Sequence, residues 1–266
     1  MPTSDAILRF AEEPEPELPE PWLPGRRFTR PHFTLGLSPI PSHSTVCRVR
    51  TTAEGLDATI AEVRAVLRQH GYTACGWYVG PSSRPVGLRE LLEARGFAPT
   101  TQAPFEPHFT AMTMTEPPSL RAPEAGVEAR VVESYEEYVS AVRAGFRAAG
   151  EGEGEIAEWL EKAPLAWEHE SGIAKLSHVG LSNGEIAGLG FLNYGPSAML
   201  LAGGAVLPGF RGRGVYRALV TSRWNAAVER GQPALTVHAG AMSRPILERC
   251  GFQPLCRVDV LLDPEI

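Results

Sequence analysis

The sequence predicts a mixed α/β chain built from two similar mixed-sheet units in tandem, preceded by an extended arm rich in proline and glutamate. Three observations carry this expectation. The 266 residues exceed the roughly 100 to 200 of an ordinary domain, and 43% of them are hydrophobic, enough to bury sizeable cores. Strand-like alternation and helix-like apolar stripes follow one another through both halves. The tripeptide Ser83-Arg84-Pro85, which leads to Gly96-Phe97, returns as Ser243-Arg244-Pro245 leading to Gly251-Phe252. In each copy a helix ending near a glycine and a strand come before it, and an alternating strand follows, so duplication explains the pattern better than chance does.

Taken in order, residues 1–30 form the arm. The run from Ala11 to Gly25, AEEPEPELPEPWLPG, has too much proline for a regular helix or central strand, with Trp22 and Leu23 as the residues able to anchor it to the body. The first unit, 31–120, opens its ordered part with TVCRVR, which alternates as a strand does. Leu56 to Gln69 then places Leu56, Ile60, Val63, Val66 and Leu67 on one helical stripe. After Gly71 come a short strand within TACGWYVG, a helix carrying Leu88, Leu91 and Leu92 with Ser82 or Ser83 as its cap, and an alternating strand from His108 to Thr115. Glu116 to Gly126 reads as a linker, which sets the boundary to the second unit, 121–266. There, Ser134 and Glu137 match the S-x-x-E capping box ahead of a helix. A glycine-rich acidic loop and a short helix follow. Strands are expected at Ala174 to Leu181, Glu185 to Tyr194 and Met199 to Leu207, the first two joined by a Ser182-Asn183-Gly184 turn. A helix from Gly214 to Arg230, a strand LTVH, a short helix before Gly251 and a strand from Val258 to Leu262 complete the chain.

Composition excludes several classes of function. A formal charge of −6 with scattered basic residues argues against a nucleic-acid surface. The longest apolar stretch is far below the roughly 20 residues of a membrane span, and no secretory leader is evident, so a cytoplasmic protein is expected. Only Lys162 and Lys175 are lysines, which, with the abundant Ala, Gly and Pro, reads as a GC-rich bacterial genome. The four cysteines have the spacing of neither a zinc knuckle nor a disulfide framework, and no metal is expected.

The informative segment is AVLPGFRGRGVYRALV, Ala205 to Val220. An apolar strand runs into Pro208, and Arg211-Gly212-Arg213-Gly214 then opens a helix, so unpaired amides converge with three arginines, Arg211, Arg213 and Arg217, around one turn. Such a turn binds anions. It is not a Walker loop, having no lysine, nor a dinucleotide fingerprint, lacking the third glycine. It resembles the R-x-x-G-x-[G/A] loop of the GNAT acyltransferases, read here as Arg211, Gly214 and then Tyr216 where the family has glycine or alanine. The order of elements from about Val127 to Leu262 and the closing SRPILERCGF block, Ser243 to Phe252, are similar to that family too.

The resemblance implies an acetyl-CoA-dependent N-acetyltransferase of GNAT fold that passes acetyl directly to a primary amine of a small molecule or peptide. Val206 and Leu207 would then meet the pantetheine, and Arg211, Gly212, Arg213, Gly214, Val215, Tyr216 and Arg217 the pyrophosphate. The family's proton donor to the leaving thiolate, a tyrosine before Gly-Phe, is Leu247 here. Its absence leaves open a non-catalytic acyl-CoA-binding regulatory module. His238 is either a proton carrier or a structural histidine, and Ser243 either a partner of the sulfur or a helix cap. Glu151, Glu153 and Glu155 either attract and deprotonate a cationic amine or form a solvated loop. Trp159, Trp167 and Tyr194 either line an acceptor pocket or belong to the core. The first unit has only Gly55 where the phosphate loop should be, which implies a degenerate copy. A monomer or a homodimer is expected.

Overall fold

The structure is a computed structural model that describes residues 4–19, 27–38, 40–100, 105–119, 122–170 and 175–266. One mixed sheet runs through all of it. In the N-terminal half lie α1 (Asp5–Glu12), β1 (Arg27–Thr29), β2 (Thr34–Gly36), β3 (Ser44–Cys47), α2 (Leu56–Gln69), β4 (Cys75–Val79), α3 (Leu88–Glu93), β5 (Ala98–Pro99) and β6 (His108–Met114). In the C-terminal half follow β7 (Val127–Val131), α4 (Tyr135–Ala149), α5 (Glu153–Glu170), β8 (Lys175–Ser182), β9 (Glu185–Tyr194), β10 (Met199–Val206), α6 (Val215–Glu229), β11 (Leu235–Ala239), α7 (Arg244–Cys250) and β12 (Gln253–Leu262).

The strand order is β1-β2-β3-β4-β12-β6-β11-β10-β9-β8-β7, with β5 beside β12. The last strand of each half is therefore bonded into the sheet of the other. β12 pairs with β4 (Val260 opposite Tyr78, Leu261 opposite Trp77), and β6 pairs with β11 (Ala111 opposite His238). β12 and β6 meet each other antiparallel at the centre. The cores follow the exchange: Leu261, near the chain's end, is fully buried in the N-terminal cluster around Trp77, Leu56 and Leu67. The expected boundary near residue 120 divides the sequence, but it does not divide the sheet.

Helix α6 packs across β7 to β10 on one face of the sheet, where Gly180, Gly188 and Gly190 give its side chains room. On the other face lie α4 and α5, with Gly145 of α4 against Leu189 and an aromatic cluster of Tyr138, Phe146, Trp159 and Trp167. The Ser134 cap forms as expected: its hydroxyl accepts from the Glu137 amide at 3.2 Å, and Glu137 accepts from the Glu133 amide at 2.9 Å. The turn at Asn183 and Gly184 has both residues at positive φ.

Several expectations need correction. The arm is not extended throughout: α1 forms ahead of the first proline of the run, capped by Ser4, with Phe10 and Ala11 buried, and it packs over β6, β11 and β12. Glu15–Glu17 form a single 3₁₀ turn. Trp22 and Leu23 lie outside the described residues. Neither Ser82 nor Ser83 caps α3, whose preceding residue is Gly87 at positive φ; Ser83 instead accepts from the Gly80 amide. The helix after the acidic turn has 18 residues rather than a short run, tolerating Pro164 inside it. β1 and β2 were not legible, being three residues each.

Candidate functional site

Two parallel strand pairs organise the chemistry. In the C-terminal half β10 and β11 pair only at Met199 with Leu235 and Leu200 with Thr236. Beyond these β11 pairs with β6, while β10 keeps β9 on its other side, so its β11-facing edge from Leu201 to Val206 has no strand against it. The register of β10 shifts between Ala202 and Ala205, a bulge that contains Gly203 (φ +55°) and Gly204. Free backbone donors and acceptors along a splayed edge suit an extended amide-bearing ligand.

The strand leads directly into the arginine-rich turn. Leu207 donates its amide to the Ala187 carbonyl, and Pro208–Phe210 make a 3₁₀ turn. Gly212 (φ +83°) and Gly214 (φ +98°) then bring the chain into α6. Both take a backbone conformation that side chains disfavour, and a Cβ on Gly214 would stand 3.0 Å from Pro123 and from the Arg217 guanidinium. No side chain caps α6. The amides of Val215, Tyr216 and Arg217 in its first turn therefore lack an internal acceptor. Arg211 folds back, its Nε donating to the Val206 carbonyl at 3.2 Å, and Arg213 lies over the Phe210 ring. Arg217 has its Nε buried with no acceptor. Among the described residues no carboxylate pairs with any of these three arginines. Uncapped amides, unpaired guanidinium groups and an orphaned buried N–H together fit a diphosphate.

The remaining candidates are scattered around this centre. His238 points to the face that α1 covers. Its Nε2 lies 2.9 Å from the Ala11 carbonyl and 3.2 Å from that of Glu12, its ring stacks on Phe109, and burial holds its pKa below the usual value. Ser243 precedes α7 without capping it, its hydroxyl donating instead to the Gly240 carbonyl at 3.4 Å. Leu247 is fully buried. Trp159 and Tyr194 are both packed in cores, the first against Tyr138 and Phe146, the second under the Arg230 guanidinium.

The acidic turn divides in two. Glu153 pairs with Arg147 at the surface. Glu151 is sheltered, its carboxylate 3.6 Å from His43 of the β2–β3 loop and beside Glu155, which accepts from Ser42 and from the Gly152 amide. Burial and the neighbouring carboxylate push Glu151 up to about 7, while burial lowers His43. His43 and Ser42 come from the N-terminal half, where the sequence singles out no site residue by number. Only the tertiary fold brings them here, and no local motif marks them.

In the N-terminal half the equivalent pair, β3 and β4, is closed. It pairs from Ser44 with Cys75 to Val46 with Trp77, and it is bonded again at Arg50 and Arg84, with the Arg84 amide on the Val49 carbonyl at 2.9 Å. The end of α1 fills the rest. Glu12 accepts from the Ser82 amide and hydroxyl at 2.6 and 2.8 Å, and Glu13 takes both terminal nitrogens of Arg50. Thr52 accepts from the Gly55 amide at the start of α2, where Glu54 replaces the arginines of the other half.

No protein-family model and no curated protein matches the chain. Its fold is nevertheless that of the GNAT N-acetyltransferases. A GCN5-related N-acetyltransferase from Kribbella flavida superposes with a TM-score of 0.71 over 97% of this chain and 95% of its own, at 15% identity. A tandem GNAT protein from the clavulanic acid biosynthesis pathway gives 0.61 over 99% and 96%, at 14% identity. A GCN5-related N-acetyltransferase from Sphaerobacter thermophilus gives 0.60 over 87% and 76%, at 17%. Among the described residues no helix is long and apolar enough to cross a membrane.

Proposed function

We propose that the chain is an acetyl-CoA-dependent N-acetyltransferase that passes acetyl directly to a primary amine of a small molecule or peptide. Its working site lies in residues 121–266, and residues 31–120 are a degenerate copy that does not hold the coenzyme. One observation carries this reading: an uncapped, arginine-ringed helix start follows directly on a splayed, bulged strand edge. Acetyl-CoA has the matching sequence of groups, a diphosphate followed by an amide-bearing arm and a thioester. The diphosphate would take the amides from Gly212 to Arg217 with the charges of Arg211, Arg213 and Arg217. The arm would bond the free edge of β10 up to Val206, whose carbonyl Arg211 would release on turning to the diphosphate, and would meet Leu207 through its side chain.

The reaction needs little further machinery. The amine nitrogen attacks the thioester carbonyl carbon, the carbon–sulfur bond breaks, and one proton leaves nitrogen while one arrives on sulfur. Holding both reactants in line supplies much of the acceleration, and a backbone N–H of the bulge is suited to polarise the carbonyl. Glu151, titrating near neutrality, is suited to draw the acceptor's ammonium and take its proton. His238 is engaged by α1, and Glu153 by Arg147, so both have lesser parts in this reading.

Calorimetry with acetyl-CoA tests it. We expect one site per chain, and an affinity about 100-fold weaker when Arg211→Ala and Gly214→Ala are combined, corresponding to roughly 3 kcal/mol of charge-assisted bonding. Equal affinities would remove the assignment. The buried Leu247 favours a second reading, a coenzyme-binding regulatory module without turnover. Thiol release over a panel of amines separates the two.

A further inference from the structure

Four features of the C-terminal half converge on one phenol. Tyr216 stands where the resemblance expects glycine or alanine, and its ring is turned onto the bulge of β10. Its ring packs against β10 within 3.1 Å of where a Cβ on Gly204 would be, and its hydroxyl within 3.6 Å. The bulge glycine gives the bulky side chain its place. Two turns along α6, Arg223 is 1% exposed and has no carboxylate partner among the described residues. Its Nε donates to the Leu219 carbonyl and its Nη1 to that of Phe191, while Nη2 has no acceptor. Gly190 makes room for the guanidinium, 2.9 Å from where a Cβ would be. A buried cation without an anion is expensive to keep.

Arg223 acts electrostatically on the Tyr216 phenol, although its Nη2 makes no hydrogen bond there. His178 also lies nearby, but burial and Arg223 push its pKa down to about 3, so it stays neutral, with Nδ1 2.9 Å from the Ser222 hydroxyl. Cys250 of α7 belongs to the apolar cluster against which Tyr216 packs, and burial raises its thiol to about 11, so it stays un-ionised. Tyr216 and Leu247 pack against the same apolar cluster. The phenol thus comes from α6 to the bulge of β10, on a cluster to which α7 contributes Leu247.

We propose that Tyr216 is the acid that protonates the departing coenzyme A sulfur, and that Arg223 is a positioning residue that supports the phenolate left behind. The proposal rests on the transferase reading. As the carbon–sulfur bond breaks, its electron pair goes to sulfur, which takes the phenolic proton. The phenolate then regains the proton that the amine nitrogen has released, through water, and the exchange balances. At neutral pH the phenol keeps its proton, because burial raises its pKa and Arg223 only partly opposes this.

The test uses the full chain with Tyr216→Phe. We expect kcat to fall by about 100-fold, the lower range for loss of a general acid, with the calorimetric affinity for acetyl-CoA within threefold of the parent. The alkaline limb of the parent's pH profile should vanish in the variant, and Arg223→Lys, which keeps the charge, should retain that limb. A second measurement needs no turnover: the ultraviolet thiolate band of bound coenzyme A should develop about one pH unit higher in Tyr216→Phe, because a donor to the thiolate has been lost. An unchanged kcat in an active enzyme, or an unshifted thiolate band, overturns the proposal. So does a tenfold tighter affinity with kcat unchanged, which would make the ring an obstruction. A parent chain that binds no acetyl-CoA instead sinks the transferase reading.

Discussion

The two parallel strand pairs, β3 with β4 and β10 with β11, share a geometry and differ in what stands at their open ends. Past the last paired residues, β3 and β4 are bonded together again at Arg50 and Arg84, and the carboxylates of Glu12 and Glu13 occupy the donors there. β10 and β11 stay apart, and the donors at the start of α6 have no internal acceptor. The likeness extends to detail. Gly80 and Gly240 end the two second strands, Glu12 packs on the first and Glu106 on the second, and both carboxylates accept from an amide of the following turn. The difference teaches that one scaffold closes a strand pair or leaves it open according to whether the chain answers its own polar groups there.

The largest effect tests whether these pairs can be separated. Residues 121–266 expressed alone lack β6, which lies between β11 and β12. That fragment should fail to give the sharp thermal transition of the full chain, which should itself melt in a single step. A cooperative, well-dispersed fragment would show that the exchange of strands is dispensable.

A smaller effect contrasts two sheltered carboxylates. Glu13 has Arg50 as its counter-charge, whereas Glu151 faces His43 and another carboxylate. The folded-state pKa of Glu151, about 7, lies above its ordinary 4.5. Its protonated form is therefore the one folding favours, and the penalty grows as pH rises from 4.5 through 7. Glu151→Gln should raise stability by about 1 kcal/mol at pH 8.5 and leave it unchanged at pH 4, read from denaturant midpoints. Equal midpoints at pH 8.5 would show the carboxylate to be solvated.

An effect of similar size concerns the closed pair. Glu12→Gln with Glu13→Gln removes two carboxylates from part-buried bonds and should lower stability by about 1 to 2 kcal/mol while acetyl-CoA still titrates to one site per chain. A second site would mean that α1 alone keeps the N-terminal pair from binding.

Much of this was legible in residues that act locally. The capping pair Ser134 and Glu137, the Asn183-Gly184 turn, the stripe of α2 and the glycine-arginine turn before α6 declare themselves because their partners lie within a few positions. Tyr216 was legible as a departure from pattern, though not its direction, since the bulge at Gly204 of β10 receives its ring. His43 beside Glu151, Glu106 at Gly240 and α1 over His238 had no signal to find, because more than a hundred residues separate each pair.

The sequence by itself determined most of the helices and longer strands and the turn that opens α6 with unanswered amides and arginines, since hydrophobic period, capping and glycine conformation are short-range properties. The tertiary structure decided which of two like strand pairs stays open, which half contributes His43, and where the final strands cross over. Those outcomes depend on pairing between distant edges of one sheet, where β6 and β12 satisfy backbone groups that neither half can satisfy alone.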